Sequence, residues 1–170
     1  QAPFYPKRTF PETGAITHEK VPDPLGAIIM TSHILSWIIF TPLIGAFAVL
    51  FVPKSATSWI KWIALTTTGI VTALTGYALA LFQPAQAGFQ MVERGVWIPQ
   101  FNVQYLLGTD GISFPMVVLT AIISVLACLA SFGIKEREKE YYALYLLLET
   151  GMMGTFLALD LFLFYVLWEV

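Results

Sequence analysis

Charge is scarce in this sequence: 12% of its 170 residues are Asp, Glu, Lys or Arg, where soluble globular domains carry about 25%. That scarcity, with 57% hydrophobic residues and a mean hydropathy of +0.73, excludes an ordinary soluble domain and points to an integral membrane protein. Basic character is lacking too. The formal net charge is -2, and no Lys/Arg stripe with interleaved aromatics is available to track phosphates, so nucleic-acid binding is set aside. Cys128 is the only cysteine, which rules out disulfides and thiolate metal sites within the chain. Flanked by Ala127, Leu129 and Ala130, it reads as a small buried apolar residue. The amino terminus also lacks the order of a signal peptide, a basic start followed directly by an apolar stretch and a small-residue cleavage site.

Long apolar runs fill the rest. About 20 apolar residues cross a bilayer core as a helix, and windows of that length fall at about residues 34–52, containing Pro42 and Gly45, then 59–82, 111–134 and 141–159. After Asp160 a new apolar run begins and reaches Val170. Ten residues rise about 15 Å, half a bilayer. The fold class expected is therefore all-α integral membrane, with four transmembrane helices plus the first half of a fifth, in a fragment of a longer protein. Residues 1–29 differ in kind, because Pro3, Pro6, Pro11, Pro22 and Pro24 break any helix and the charges follow no period. They read as a tail or an extraneous segment. Met30 is a candidate native start, which would make the preceding residues non-native.

Orientation follows from Lys and Arg in the loops. Lys54, Lys61, Lys135, Arg137 and Lys139 fall on one side and Arg94 alone on the other. This bias predicts Lys54 and Lys135 in the cytoplasm and the amino terminus outside. Lys7, Arg8 and Lys20 would then be external, balanced by Glu12, Glu19 and Asp23. The expected setting is a bacterial plasma membrane or an energy-transducing organelle membrane. The external loop from Gln83 to Asp110 is long for a membrane connection. Phe89 to Val92 and Val96 to Ile98 flank Glu93-Arg94-Gly95, a turn-like triplet, which predicts a short β-hairpin. Trp97, Phe101 and Tyr105 are expected at headgroup level, and Thr109-Asp110-Gly111 supplies a cap for the third helix.

Two acids stand inside the apolar runs. Ionisable groups there cost roughly 3 kcal/mol or more at the bilayer centre, so they generally have a functional reason. Glu169 is nine residues past Asp160, about 13 Å, and Glu149 eleven residues before it, about 16 Å, which puts both near mid-depth. Tyr165 and Tyr145 sit one turn before each acid, within reach of a hydrogen bond. A carboxyl balanced between desolvation and a nearby cation can load and unload a proton, as a proton relay requires. Bracing a neighbouring helix is the structural alternative for both. It weighs more for Glu149, where Gly151 and Gly154 predict a close helix contact. Asp160 reads as a helix cap, His33 as an interfacial residue, and Thr66, Thr67, Thr68, Thr72 and Thr75 with Gly69 and Gly76 as a packing face. The run Lys135 to Glu140 alternates in sign and reads as a solvated turn.

Asp110-Gly111-Ile112-Ser113, Lys139-Glu140-Tyr141-Tyr142, the stretch Glu149 to Phe156 and Asp160-Leu161-Phe162-Leu163-Phe164-Tyr165-Val166-Leu167-Trp168-Glu169 resemble the opening third of subunit M of proton-pumping NADH:quinone oxidoreductase, respiratory complex I. This is the counterpart of mitochondrial subunit 4. The likeness covers about Thr31 to Val170 and is most specific in the combination ending Trp168-Glu169. It implies an antiporter-like membrane-arm subunit, without a redox or catalytic centre of its own, that translocates protons when quinone reduction elsewhere drives the arm. NADH, FMN, iron-sulfur clusters and quinone would be used by other subunits, and the partners implied are other membrane-arm subunits and the lipid bilayer. It further implies that Glu169 pairs with a lysine on a helix beyond Val170, and, more weakly, that Glu149 also handles protons. A subunit of a multi-component sodium/proton antiporter shares the fold and the midplane acids and remains an alternative. A structural scaffold without its own proton path is the other.

Overall fold

The structure is a computed structural model describing residues 33–86 and 88–170. Its elements are α1 (Ile34–Phe51), α2 (Thr57–Leu81), the strands β1 (Gln90–Ile98) and β2 (Val103–Thr109), α3 (Ser113–Ala130), α4 (Glu138–Leu157) and α5 (Leu161–Trp168). The proline-rich tail expected over residues 1–29 lies outside the described residues. Of four expected spans, three are by themselves long and apolar enough to cross a membrane: α1, α2, and α3 with its 3-10 extension to Gly133. The fourth window is a 20-residue helix, α4, but Glu138, Lys139, Glu140 and Glu149 dilute its apolar character. α5 is a helix of 8 residues.

Successive helices run antiparallel. α1 packs most extensively on α4, then on α2, and α2 on α3. Pairing across the loops fixes the ends of the bundle. At one end Lys54 bridges Glu140 at 2.7 Å and Lys61 bridges Glu138 at 3.4 Å, so the first and third loops share a side, as their basic residues predicted. Lys61 also donates to the carbonyls of Phe132 and Ile134 at 3.0 and 3.3 Å, satisfying acceptors where α3 ends. The run from Lys135 is therefore only partly a solvated turn. Glu138 to Glu140 form the first turn of α4, where Glu140 meets Lys54 from the neighbouring loop and Glu138 meets Lys61 from the start of α2.

A β-hairpin covers the other end, between α2 and α3. The hairpin was expected, but its turn is not at Glu93-Arg94-Gly95. β1 continues through those residues, and the chain reverses at Pro99–Phe101, with Asn102 in the left-handed region at φ 52°. Proline presets the first turn angle and asparagine tolerates the left-handed one, so the turn chemistry lies there. Met91, also at φ 52°, opens a bulge between the pairs Gln90–Thr109 and Glu93–Leu107. A bulge re-aims side chains, and here Gln90 and Glu93, three apart, are both buried. β2 also holds the α4–α5 turn, with Leu159 N donating to Leu106 O at 2.9 Å. Gly108 makes room for Leu159, since a Cβ there would lie 2.6 Å from Leu159 Cδ1.

Two apolar clusters form the interior. One, at the hairpin end, joins Leu35, Ile38, Val71, Phe114, Val117, Met153 and Leu167 among others. The other, at the basic end, joins Val49, Ile60, Ala64, Cys128, Tyr142 and Leu146. Cys128 is buried and free, as its surroundings predicted. Outside these clusters the helices present large apolar side chains to their surroundings, including Phe47, Trp59, Ile123 and Leu144, which suits a lipid environment.

Candidate functional site

Between the two clusters the helices turn polar. α2 contributes Thr67 and Thr68, α3 contributes Ser124, and α4 contributes Glu149 and Thr150, all buried. This layer has a local cause. Thr67 fills the space at Gly45 of α1, where any Cβ would collide with it, and Thr72 donates across to Ala121 O of α3 at 3.1 Å. Thr67, Thr68, Thr72 and Thr75 thus lie on the packing face predicted for them, while Thr66 is exposed and bonds only to carbonyls of its own helix. Gly69 and Gly76 are not part of it, since nothing lies within 4 Å of a Cβ at either.

Glu149 has 0% of its surface exposed. Neither of its carboxyl oxygens makes a hydrogen bond of good geometry among the described residues, the Ser124 hydroxyl standing beside the carboxyl without closing one, and the Thr75 hydroxyl is likewise buried and unpartnered. Ser124, Tyr145 and Cys128 stand around the carboxyl. The expected pairing of Tyr145 with Glu149 is not made. The Tyr145 hydroxyl donates to the Ser124 carbonyl instead, tying α4 to α3 and leaving the acid free. An unsatisfied buried polar group costs about 1–3 kcal/mol, so packing alone gives no reason to keep an acid here.

Glu169 follows the last turn of α5, with its backbone N–H on Tyr165 O at 3.1 Å. Its side chain is exposed and takes no hydrogen bond from the described residues, Tyr165 included. The close contact predicted at Gly151 and Gly154 is present and is made with α5. A Cβ at Gly151 would lie 3.0 Å from Leu167 O and 3.6 Å from Val170, and one at Gly154 would lie 2.6 Å from Leu167 Cδ1. Because α5 approaches α4 this closely, its last residues sit beside Gly151, half a turn from Glu149. The two acids therefore stand at adjoining levels of antiparallel helices, one sealed in and one facing out.

A second buried acid escaped the sequence reading. Glu93 is 4% exposed and accepts from Leu35 N at 2.7 Å, from Ser36 N at 3.2 Å and from the Ser36 hydroxyl. It therefore caps α1 from the hairpin. Helix N-termini have free N–H groups and a positive dipole end. The Tyr105 hydroxyl completes the cap 2.6 Å from Ser36 Oγ. Burial, reinforced by the nearby Glu93 charge, raises the Tyr105 pKa above the ordinary phenol value. Tyr105 also stacks on Phe40 of α1, a tertiary contact between hairpin and helix. Trp97 packs edge-on against Phe162 of α5. His33, before α1, is mostly exposed, with Nδ1 3.8 Å from Glu93.

Both predicted caps form. Asp110 accepts from Ile112 N and Ser113 N at 3.0 and 2.6 Å, and Asp160 from Phe162 N and Leu163 N at 2.9 and 3.1 Å. Those backbone donors hold each carboxyl below its usual pKa. Asp160 also accepts from Gln104 N at 3.3 Å, which joins the hairpin to the start of α5.

Residues 30–163 match the family described as NADH-ubiquinone oxidoreductase chain 4, amino terminus. Glu149 lies inside that stretch and Glu169 just past it. The chain is 35% identical over 150 residues to the NAD(P)H-quinone oxidoreductase chain 4 of Parasynechococcus marenigrum (strain WH8102), covering 87% of this chain and 27% of that protein. It is 37% identical over 139 residues to the same-named protein of Acaryochloris marina (strain MBIC 11017), covering 80% and 26%. The chain spans about a quarter of the length of the curated relatives it matches.

Proposed function

Since the chain belongs to the family of the amino-terminal part of NADH-ubiquinone oxidoreductase chain 4, we propose that it serves in a membrane-arm subunit coupling quinone reduction to proton translocation. The observation that carries this reading is the polar layer, with Glu149 sealed at its centre and unpartnered. A carboxyl can give and take a proton, whereas an apolar side chain of similar size would pack there without the cost of an orphaned polar group. Glu169, outward on α5 at the adjoining level, is positioned to meet a cation supplied by the rest of the protein. A charge moving beside one acid changes the free energy of protonation of the other. That coupling is what lets a distant event drive a proton.

In this reading α4 spans the membrane with α1, α2 and α3, and α5 begins a further span. The basic end, with Lys54, Lys135, Arg137 and Lys139, faces the cytoplasm, and the hairpin and the start of α1 face outward. Other membrane-arm subunits are the partners, and the nicotinamide, flavin, iron-sulfur and quinone chemistry belongs to them. Family membership favours this over a multi-component sodium/proton antiporter. Purifying the tagged full-length protein from its native membrane tests the assignment. NADH:quinone reductase activity and flavin and iron-sulfur absorbance are expected to co-purify. A complex free of redox cofactors that exchanges sodium for protons would refute it.

A further inference from the structure

A groove of about 430 Å³ runs between α1 and α4 toward the basic end. Leu43, Phe47, Leu50, Leu144 and Leu147 make its floor and walls, and Arg137 and Glu140 close one end. Arg137 and Glu140 also border a polar cavity of about 400 Å³ with Lys54, Lys135, Glu138 and Lys139. The two spaces therefore adjoin at these two side chains, one apolar along the helices and the other polar at the loops. From Glu140 to Leu147 the groove extends about 10 Å along α4.

The charges at its mouth are not balanced. Glu140 is occupied by Lys54 at 2.7 Å and Glu138 by Lys61 at 3.4 Å. Among the described residues, Lys135, Arg137 and Lys139 have no carboxylate partner, and Glu136 alone has no cation. The acids are thus largely neutralised from within the fold, and net positive charge remains where the apolar groove opens. A free anion would use only the polar part, and an apolar helix only the groove. The molecule complementary to both is an amphiphile with an anionic head.

We propose that the α1–α4 groove binds an anionic phospholipid, its phosphate at Arg137 and Lys139 and one acyl chain along Phe47 and Leu144. This rests on α1 and α4 spanning a bilayer. The test uses the assembled complex in lipid nanodiscs, doped with phosphatidylglycerol or phosphatidylcholine bearing the same photoreactive acyl tail. Crosslinked peptides are then mapped by mass spectrometry. The peptides carrying Phe47 and Leu144 are expected to take at least threefold more label from phosphatidylglycerol, and Arg137→Gln with Lys139→Gln to abolish the preference. Equal labelling by the two lipids overturns the proposal, as does no labelling by either, which would mean that protein covers the groove. The comparison of the two lipids on the unsubstituted complex decides even if the variant fails to assemble. Label from both lipids on the outer faces of α2 and α3 reports the membrane reading separately.

Discussion

Glu93 and Glu149 are both buried acids in a chain poor in charge, yet their surroundings are opposite. Glu93 lies at the end of the bundle and takes hydrogen bonds from two backbone N–H groups and a hydroxyl. Glu149 lies between the two apolar clusters and takes none. Burial alone therefore does not mark a proton site. A saturated carboxylate braces the helix it caps, whereas an unsatisfied one adds nothing to packing, and the proposed proton role gives it a use.

The variant with the largest expected effect attacks the bracing acid. Glu93→Leu orphans the donors at the start of α1, each worth about 1–3 kcal/mol. Thermal unfolding of the complex is expected to show a loss of about 3 kcal/mol or more, with pumping per surviving complex unchanged. Native stability would remove the cap, and with it the contrast between the acids. Next, Gly151→Ala pushes a methyl group against the backbone of α5. Overpacking of this kind costs about 1–3 kcal/mol, and because it shifts Glu169 relative to Glu149, pumping is expected to fall with stability. A loss of stability without a loss of pumping would separate the α4–α5 contact from the proton site.

Asp160→Ala removes a cap common to α5 and the hairpin, at a cost of about 1 kcal/mol. The native pKa of Asp160 is depressed, so the stability it contributes is present above the unfolded value of 3.8 and is lost as pH falls through the lower folded value. Denaturation followed from pH 7 down to pH 2 should show the variant and the native protein converging only at the acid end. A smaller structural effect is expected at the other buried acid. Glu149→Gln removes no hydrogen bond, so unfolding should shift by less than about 1 kcal/mol, while quinone-dependent pumping falls several-fold. A destabilised variant with full pumping would make Glu149 a second brace.

How far the sequence reveals this arrangement differs between the same regions. Helix lengths, the caps at Asp110 and Asp160, the shared side of Lys54 and Lys135 and the α4–α5 contact at Gly151 are legible, because each depends on local spacing. Glu149 stands out for a similar reason, as a charge in an apolar run. Glu93 does not, because its burial depends on the bulge at Met91, which breaks the alternation that would have shown an inward face. Pro99 and Asn102 did hold the turn signal, masked by the more turn-like Glu93-Arg94-Gly95. The failed pairing of Tyr145 with Glu149 is a tertiary effect, since a carbonyl on α3 competes for the hydroxyl that helix spacing assigned to the acid.

The central claim is that the acids at the α4–α5 level handle protons and do not brace helices. Glu169→Gln in the full-length subunit tests it most directly, because its side chain takes no hydrogen bond among the described residues and its loss should leave the fold intact. Proton pumping driven by quinone reduction, measured per assembled complex in sealed vesicles, is predicted to fall about tenfold or more, a conservative share of what positioned proton transfer contributes, with assembly unchanged. Full pumping in the assembled variant, or a loss explained entirely by failed assembly, would contradict the account.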